Sequence, residues 1–238
     1  MKRIKVLFDR DSIDKRLKIG WGISFLIDEN VLFDTGENGK YLLKNMEILS
    51  VNIEKIEKIV ISHDHWDHTG GLWDLLEKKK DFKVYGCINF SNEFKDNVKN
   101  SGNELIEVEN FIQIEKDIYT TGEIGGKYRG SFMPEQSLIL KTENGLTVLT
   151  GCAHPGILEI IKEVKKLIPD EKIYMVAGGF HLIEEDRRTI QYIAEEFKKL
   201  GVKKAGPTHC SGPLAEDIFR REFGEDFVEI KVGSEILV

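Results

Sequence analysis

Two hydrophobic periods alternate along this chain. Residues 4–8 alternate loosely, and apolar runs at 22–27 and 31–33, separated by Asp28, Glu29 and Asn30, read as a hairpin. Similar runs at 58–61, 83–85, 137–140, 146–149, 173–176 and 227–232 predict further strands. Between them, apolar residues recur at three- and four-residue steps over 40–49, 72–79, 91–100, 157–167, 187–200 and 213–223, the spacing of one helix face. Hairpins come first and strand–helix alternation follows. The expected fold is therefore α/β, a mixed sheet system with helices on its outer faces, built as two related halves. The least regular stretch, 102–135, contains Thr120-Thr121-Gly122-Glu123-Ile124-Gly125-Gly126-Lys127-Tyr128-Arg129-Gly130 and predicts a loop or an inserted hairpin.

Composition narrows the function classes. A length of 238 residues with 41% apolar content is enough for one well-packed domain, expected over 1–238. Charged residues make up 32%, above the usual quarter or so, and the net charge of −7 argues against a primary role on nucleic acid, because no excess of cations exists to displace counterions from phosphates. No apolar run is long enough to span a membrane, and residues 1–9 carry no signal-peptide core, so a cytoplasmic protein is expected. Cys87, Cys152 and Cys210 form an odd set without a Cys-x-x-Cys pair, which suggests neither a disulfide framework nor a zinc knuckle. Cys87 follows a strand away from every histidine and is expected to be scaffold.

The histidines carry the chemical signal. His63, His65, His68, His154, His181 and His209 all fall at or just after the end of a predicted strand, and none lies in a predicted helix. In α/β folds, such loops are where sites are assembled on rigid supports. In Ser62-His63-Asp64-His65-Trp66-Asp67-His68-Thr69-Gly70-Gly71, residues two apart on extended chain point the same way. His63 and His65 can then close on one metal while Asp67 and His68, around the turn, face a second. Imidazole and carboxylate suit zinc, iron or manganese, and Gly70 and Gly71 let the backbone turn into a helix beginning near Leu72.

This His-x-His-x-Asp-His pattern resembles the hallmark of the metallo-β-lactamase superfamily. Val31-Leu32-Phe33-Asp34-Thr35-Gly36 is similar to that family's first motif, a strand ending in an acid that orients a metal-bound histidine, so the resemblance gives Asp34 a supporting role. Leu149-Thr150-Gly151-Cys152 resembles the strand and Thr-Gly-Asp that supply a bridging carboxylate, with the thiol of Cys152 in the place of Asp. No histidine lies between His68 and His154, where the family pattern puts its third ligand histidine, and His154 is the nearest candidate to join His63 and His65. Gly178-Gly179-Phe180-His181 and Pro207-Thr208-His209-Cys210 each follow a strand-like run, so His209 or His181 can close a second site with Asp67 and His68. His209 is favoured as ligand, His181 as ligand or proton carrier, and Cys210 is a candidate pocket thiol. Together these motifs resemble a branch labelled as related to an archaeal dihydropteroate-synthase-like protein.

The resemblance implies a four-layer αββα sandwich and one or two bound ions, zinc before iron or manganese, since His65 stands where flavodiiron-like members carry Glu. It also implies a metal-dependent hydrolase acting through metal-activated water on an ester, lactone, amide or phosphoester, with Asp67 and His181 as catalytic groups. The substrate is expected to be a small molecule, and Lys127 and Arg129 would contact an anionic one. Two alternatives stand beside this reading: a transferase of pterin metabolism, and a metal-binding protein without turnover.

Overall fold

The computed structural model describes all of residues 1–238. In chain order the elements are β1 (Arg3–Phe8), β2 (Ser24–Ile27), β3 (Val31–Phe33), α1 (Gly39–Ile48), β4 (Lys58–Val60), α2 (Trp66–Lys78), β5 (Lys83–Cys87), α3 (Asn92–Asn100), β6 (Glu104–Val108), β7 (Ile112–Glu115) and β8 (Ile118–Thr120). There follow β9 (Ile124–Tyr128), β10 (Ser131–Glu135), β11 (Leu138–Thr142), β12 (Gly145–Thr150), α4 (Ile157–Leu167), β13 (Ile173–Gly179), α5 (Arg187–Lys199), β14 (Lys204–Thr208), α6 (Gly212–Phe223) and β15 (Glu235–Leu237). The chain divides into two compact units, Met1–Glu109 with Lys231–Val238, and Asn110–Ile230. No helix is long and apolar enough to cross a membrane.

In the first unit, a seven-stranded sheet runs in the order β15-β1-β2-β3-β4-β5-β6. The hairpin strands pair antiparallel, and β3 through β6 pair in parallel. Parallel neighbours need crossovers, which α1, α2 and α3 supply. Their apolar faces (Leu42 and Met46, Leu72, Leu75 and Leu76, Phe94 and Val98) pack with Leu32, Ile59 and Val84 of the sheet in one buried cluster. Asn38 and Ser91 cap α1 and α3 by accepting from Tyr41 and Phe94 backbone N–H groups.

In the second unit, a six-stranded sheet runs β14-β13-β12-β11-β8-β7, with β9 and β10 paired as a separate hairpin. Strands β12, β13 and β14 are parallel, and α4, α5 and α6 bury Ile160, Ile161, Ile190, Phe197 and Phe219 against Val148, Val176 and Ala205. Both parallel blocks end their strands at loops that carry the histidines.

Four sequence expectations are corrected. Helix α2 begins at Trp66 and not near Leu72, so His68 lies inside a helix and Asp67 and His68 occupy its first turn. Gly70 and Gly71 are not turn residues: a Cβ at either would come within 2.2 Å of the carbonyl oxygens of Glu37 or Thr35, so they let α2 press against the loop after β3. The predicted strand 227–232 forms only isolated bridges, from Phe227 to Ala205 and from Val232 to Ser12, and the true C-terminal strand is β15. Cys87, expected to lie away from every histidine motif, is buried with its Sγ 3.9 Å from the Ser62 carbonyl, directly behind that motif.

Candidate functional site

Each unit places one set of donors at its strand ends. In the first unit the set is organised around Asp34, which leaves β3 in a left-handed conformation (φ 56°) and is fully buried. Its Oδ1 accepts the Ser62 N–H at 2.7 Å, and its Oδ2 accepts the Ser62 hydroxyl and pairs with His68 Nδ1, both at 2.7 Å. The Ser62 oxygen also lies 2.9 Å from His63 Nδ1. Burial pushes the Asp34 carboxyl above its ordinary value, against the pull of His68 and of the Ser62 donors. The rings of His63 and His68 are 4.1 Å apart and those of His63 and His65 4.8 Å. His65 caps α2 with its backbone carbonyl, which accepts from His68 and Thr69, so its side chain has no capping duty. Asp67 follows in the first turn, where a negative charge is favoured by the helix dipole, with Oδ2 3.5 Å from His68 Nε2.

In the second unit, Cys152 and His154 follow β12, His181 follows β13, and His209 and Cys210 open a short 3₁₀ turn after β14. Ala153, His181 and His209 all adopt left-handed backbone (φ 61°, 54° and 51°), conformations that non-glycine residues hold only where packing imposes them. The donor atoms of Cys152, His154 and His181 lie within 4.8 Å of one another. Cys152 Sγ is 3.3 Å from His209 Nε2. A Cβ at Gly179 would meet the Gly151 carbonyl at 2.2 Å and Cys210 Sγ at 2.7 Å, so the glycine before Phe180 is what admits Cys210. Burial alone would raise the Cys210 thiol, but hydrogen bonds with Cys152 and His181 and the charge on His209 hold it well below its ordinary value. The same contact with Cys210, helped by the charges of Cys210, Glu135 and Glu184, raises His181.

The residue that the sequence did not reveal is Glu135, the last of β10. It is buried, and its carboxylate accepts the backbone N–H groups of Cys152, Ala153 and His154 and pairs with His154 Nδ1 at 2.9 Å. Burial pushes the Glu135 carboxyl up, yet the His154 ring and these N–H donors outweigh it and hold it below the usual carboxylate range. No local motif marks it, because its partners come from a loop 17–19 residues later. Lys127 and Arg129 sit exposed on the β9–β10 hairpin, with Arg129 5.3 Å over the Tyr128 ring and Tyr128 edge-on to His154 at 5.3 Å. The structure thus groups the sequence-predicted donors within each unit, and on the β9–β10 hairpin it is Gly126 and Tyr128, not the two cations, that face His154.

The donor chemistry fits a borderline transition ion. His68 and His154 each turn Nδ1 toward a buried carboxylate, and a neutral imidazole held that way offers Nε2 as ligand. Imidazole, thiol and carboxylate together are a zinc-class set.

The family model of the metallo-β-lactamase superfamily matches residues 24–173. The chain belongs to that superfamily. Tm1679, described as a metal-dependent hydrolase of the β-lactamase superfamily, has a solved structure similar to this one, with a TM-score of 0.83 at 31% identity, covering 100% of this chain and 99% of that one. The α/β fold of metallo-β-lactamase type expected from the motifs is therefore the fold of this superfamily member. Among relatives, 7,8-dihydropterin-6-methyl-4-(beta-D-ribofuranosyl)-aminobenzene-5'-phosphate synthase of Methanocaldococcus jannaschii is 31% identical over 90% of this chain and 88% of that protein. Ribonuclease Z of Pyrococcus abyssi is 32% identical over 51% of this chain and 37% of that protein.

Proposed function

We propose that this metallo-β-lactamase superfamily member is a metal-dependent hydrolase of an ester, lactone, amide or phosphoester in a small molecule. The observation that carries the reading is the pair of buried carboxylate–histidine contacts, Asp34 with His68 and Glu135 with His154, each presenting Nε2 as a ligand atom. In this reading His63, His65, Asp67 and His68 in one unit, and Cys152, His154 and His209 in the other, are the metal ligands, with zinc the foremost ion. When bound, such an ion supplies positive charge that makes water nucleophilic near neutral pH and stabilises negative charge on a substrate oxygen.

The chain's own residues do the rest. Asp67, at the N-terminus of α2, presents a carboxylate that can orient a nucleophile through hydrogen bonding. His181 is exposed, its ring 4.7 Å from that of His154, which supports a role in carrying a proton to a leaving group. Lys127 and Arg129 project from the hairpin beside His154 and suit an anionic substituent. A second reading, a transferase of pterin metabolism, is favoured by one observation: the relative spanning 90% of the chain is named for a dihydropterin phosphate product.

The test compares zinc-loaded and chelator-treated protein on aryl esters, lactones, aryl phosphodiesters and a dihydropterin diphosphate supplied with an arylamine. Hydrolysis that disappears with chelator and returns with zinc supports the first reading. Condensation without hydrolysis supports the second, and metal uptake with an inert panel contradicts both in favour of a non-catalytic metal-binding protein.

A further inference from the structure

Glu135 is the most heavily engaged buried carboxylate in its unit, and its four contacts all go to three consecutive residues. Oε1 accepts from the N–H groups of Cys152 at 3.0 Å and Ala153 at 2.7 Å, while Oε2 accepts the His154 N–H at 2.8 Å and meets His154 Nδ1 at 2.9 Å. Successive N–H groups converge on one anion only when the backbone between them departs from extended or right-handed form, and Ala153 at φ 61° provides that departure. A carboxylate serving only as a loop cap has no use for the fourth contact. As an ionised group it can only accept, so the proton of a neutral His154 is held on Nδ1 and the lone pair on Nε2. The His154 side chain is 1% exposed, which leaves the ring little freedom to turn away from this partner.

Glu135 also ends the hairpin that lies against the same loop. A Cβ on Gly126 would come within 2.7 Å of both the His154 carbonyl carbon and the Pro155 nitrogen, and the Tyr128 ring stands edge-on to His154. One carboxylate therefore ties the β9–β10 hairpin, the Cys152–His154 turn and the His154 ring into a single arrangement.

We infer that Glu135 is a positioning residue that fixes His154 as an Nε2 ligand before any metal arrives. This rests on the reading of His154 as a metal ligand given above. Glu135→Gln preserves shape but puts an NH₂ group against the N–H donors: it faces Cys152 and Ala153 in one orientation and His154 in the other. Zinc affinity, measured by competition with a chromophoric chelator, should fall by about 10- to 100-fold, the usual effect of removing a carboxylate behind a ligand histidine. In a His154→Ala background the same change should cost less than about twofold, since Glu135 acts through His154. Nitrogen-15 spectra of metal-free wild type should show His154 protonated on Nδ1, and the variant should shift that population toward Nε2. A purely structural role would leave the tautomer unmoved and make the two substitutions additive.

Unchanged zinc affinity in Glu135→Gln, additive losses in the double variant, or a wild-type His154 protonated on Nε2 would each overturn the inference. The last measurement needs no variant and decides the matter if Glu135→Gln does not fold. A wild type that takes up no zinc at all overturns this inference and the metal reading together, whereas normal uptake with an indifferent variant overturns this inference alone.

Discussion

Replacing Asp34 by Asn isolates what that buried acid does for His68. Asn tolerates the left-handed backbone at this position, so the change is confined to one oxygen. If the new NH₂ takes the Oδ1 place it faces the Ser62 N–H at 2.7 Å, leaving a buried donor without an acceptor at a cost of about 1–3 kcal/mol. If it takes the Oδ2 place, the Ser62 hydroxyl can turn to accept and give its own proton to His63 Nδ1, but His68 Nδ1 must give up its proton and accept as well. That second arrangement keeps the hydrogen bonds and loses only their charge assistance, about 1 kcal/mol, so it should prevail. Burial already pushes the Asp34 carboxyl up, and relief of that penalty works in favour of Asn. The metal-free protein should therefore lose only about 1 kcal/mol, or roughly 2–4 °C in Tm for a chain of this size. The consequence for metal is larger, because His68 is driven to carry its proton on Nε2. Zinc affinity should drop about 10- to 100-fold in a chelator competition assay. A variant that melts as predicted yet binds zinc like the wild type would refute the claim that Asp34 governs His68 as a ligand.

Gly71→Ala should destabilise the protein by about 1–3 kcal/mol in urea denaturation despite the better helix propensity of Ala, because the added Cβ meets the Thr35 carbonyl at 2.2 Å and neither backbone can yield cheaply; a stabilised variant would contradict the close approach. The Lys95 hydrogen bond, with help from Lys99, holds Glu107 below its ordinary carboxylate value of 4.5, so its contribution is whole above that pH and fades as pH falls through the lowered value. The stability difference between wild type and Glu107→Gln, about 0.5 kcal/mol at pH 7 after allowing for exposure, should shrink toward zero as pH falls through and below the lowered value, and a difference that grows on acidification would contradict it. His65→Ala should abolish most zinc uptake, whereas Cys87→Ala, which removes a buried sulfur from behind Ser62, should cost about 1–2 kcal/mol of stability and leave zinc stoichiometry unchanged. Equal metal loss in both variants would show that the scaffold behind Ser62 has been misjudged.

The legible part of this protein was its donors. His63, His65, His68, His154, His181 and His209 stand out from the pattern as a group, and the structure places all but His68, which lies in the first turn of α2, in the segments just beyond a parallel strand. Local periodicity also found all six helices, because each buries one stripe against a sheet. What it misread had non-local causes. Gly70 and Gly71 look like a turn in sequence, and only the carbonyls of Glu37 and Thr35, more than thirty residues earlier, explain them as helix residues under a tight contact. Strands β6 to β10 are short and half-exposed, so alternation is weak there, and Phe227–Val232 has the composition of a strand but lacks a partner edge beyond single bridges. Glu135 was invisible for the same reason: a glutamate after a proline carries no signal until three N–H groups and an imidazole are folded onto it.

The central claim is that the donors described here hold metal. Its most direct test is elemental analysis of protein purified without chelator, repeated after supplying zinc, iron and manganese to the chelator-stripped form. The account predicts one or two transition-metal ions per chain, zinc foremost, with occupancy sharply reduced in His63→Ala and His209→Ala. A well-folded chain that carries no metal and gains none from any of the three ions would contradict it.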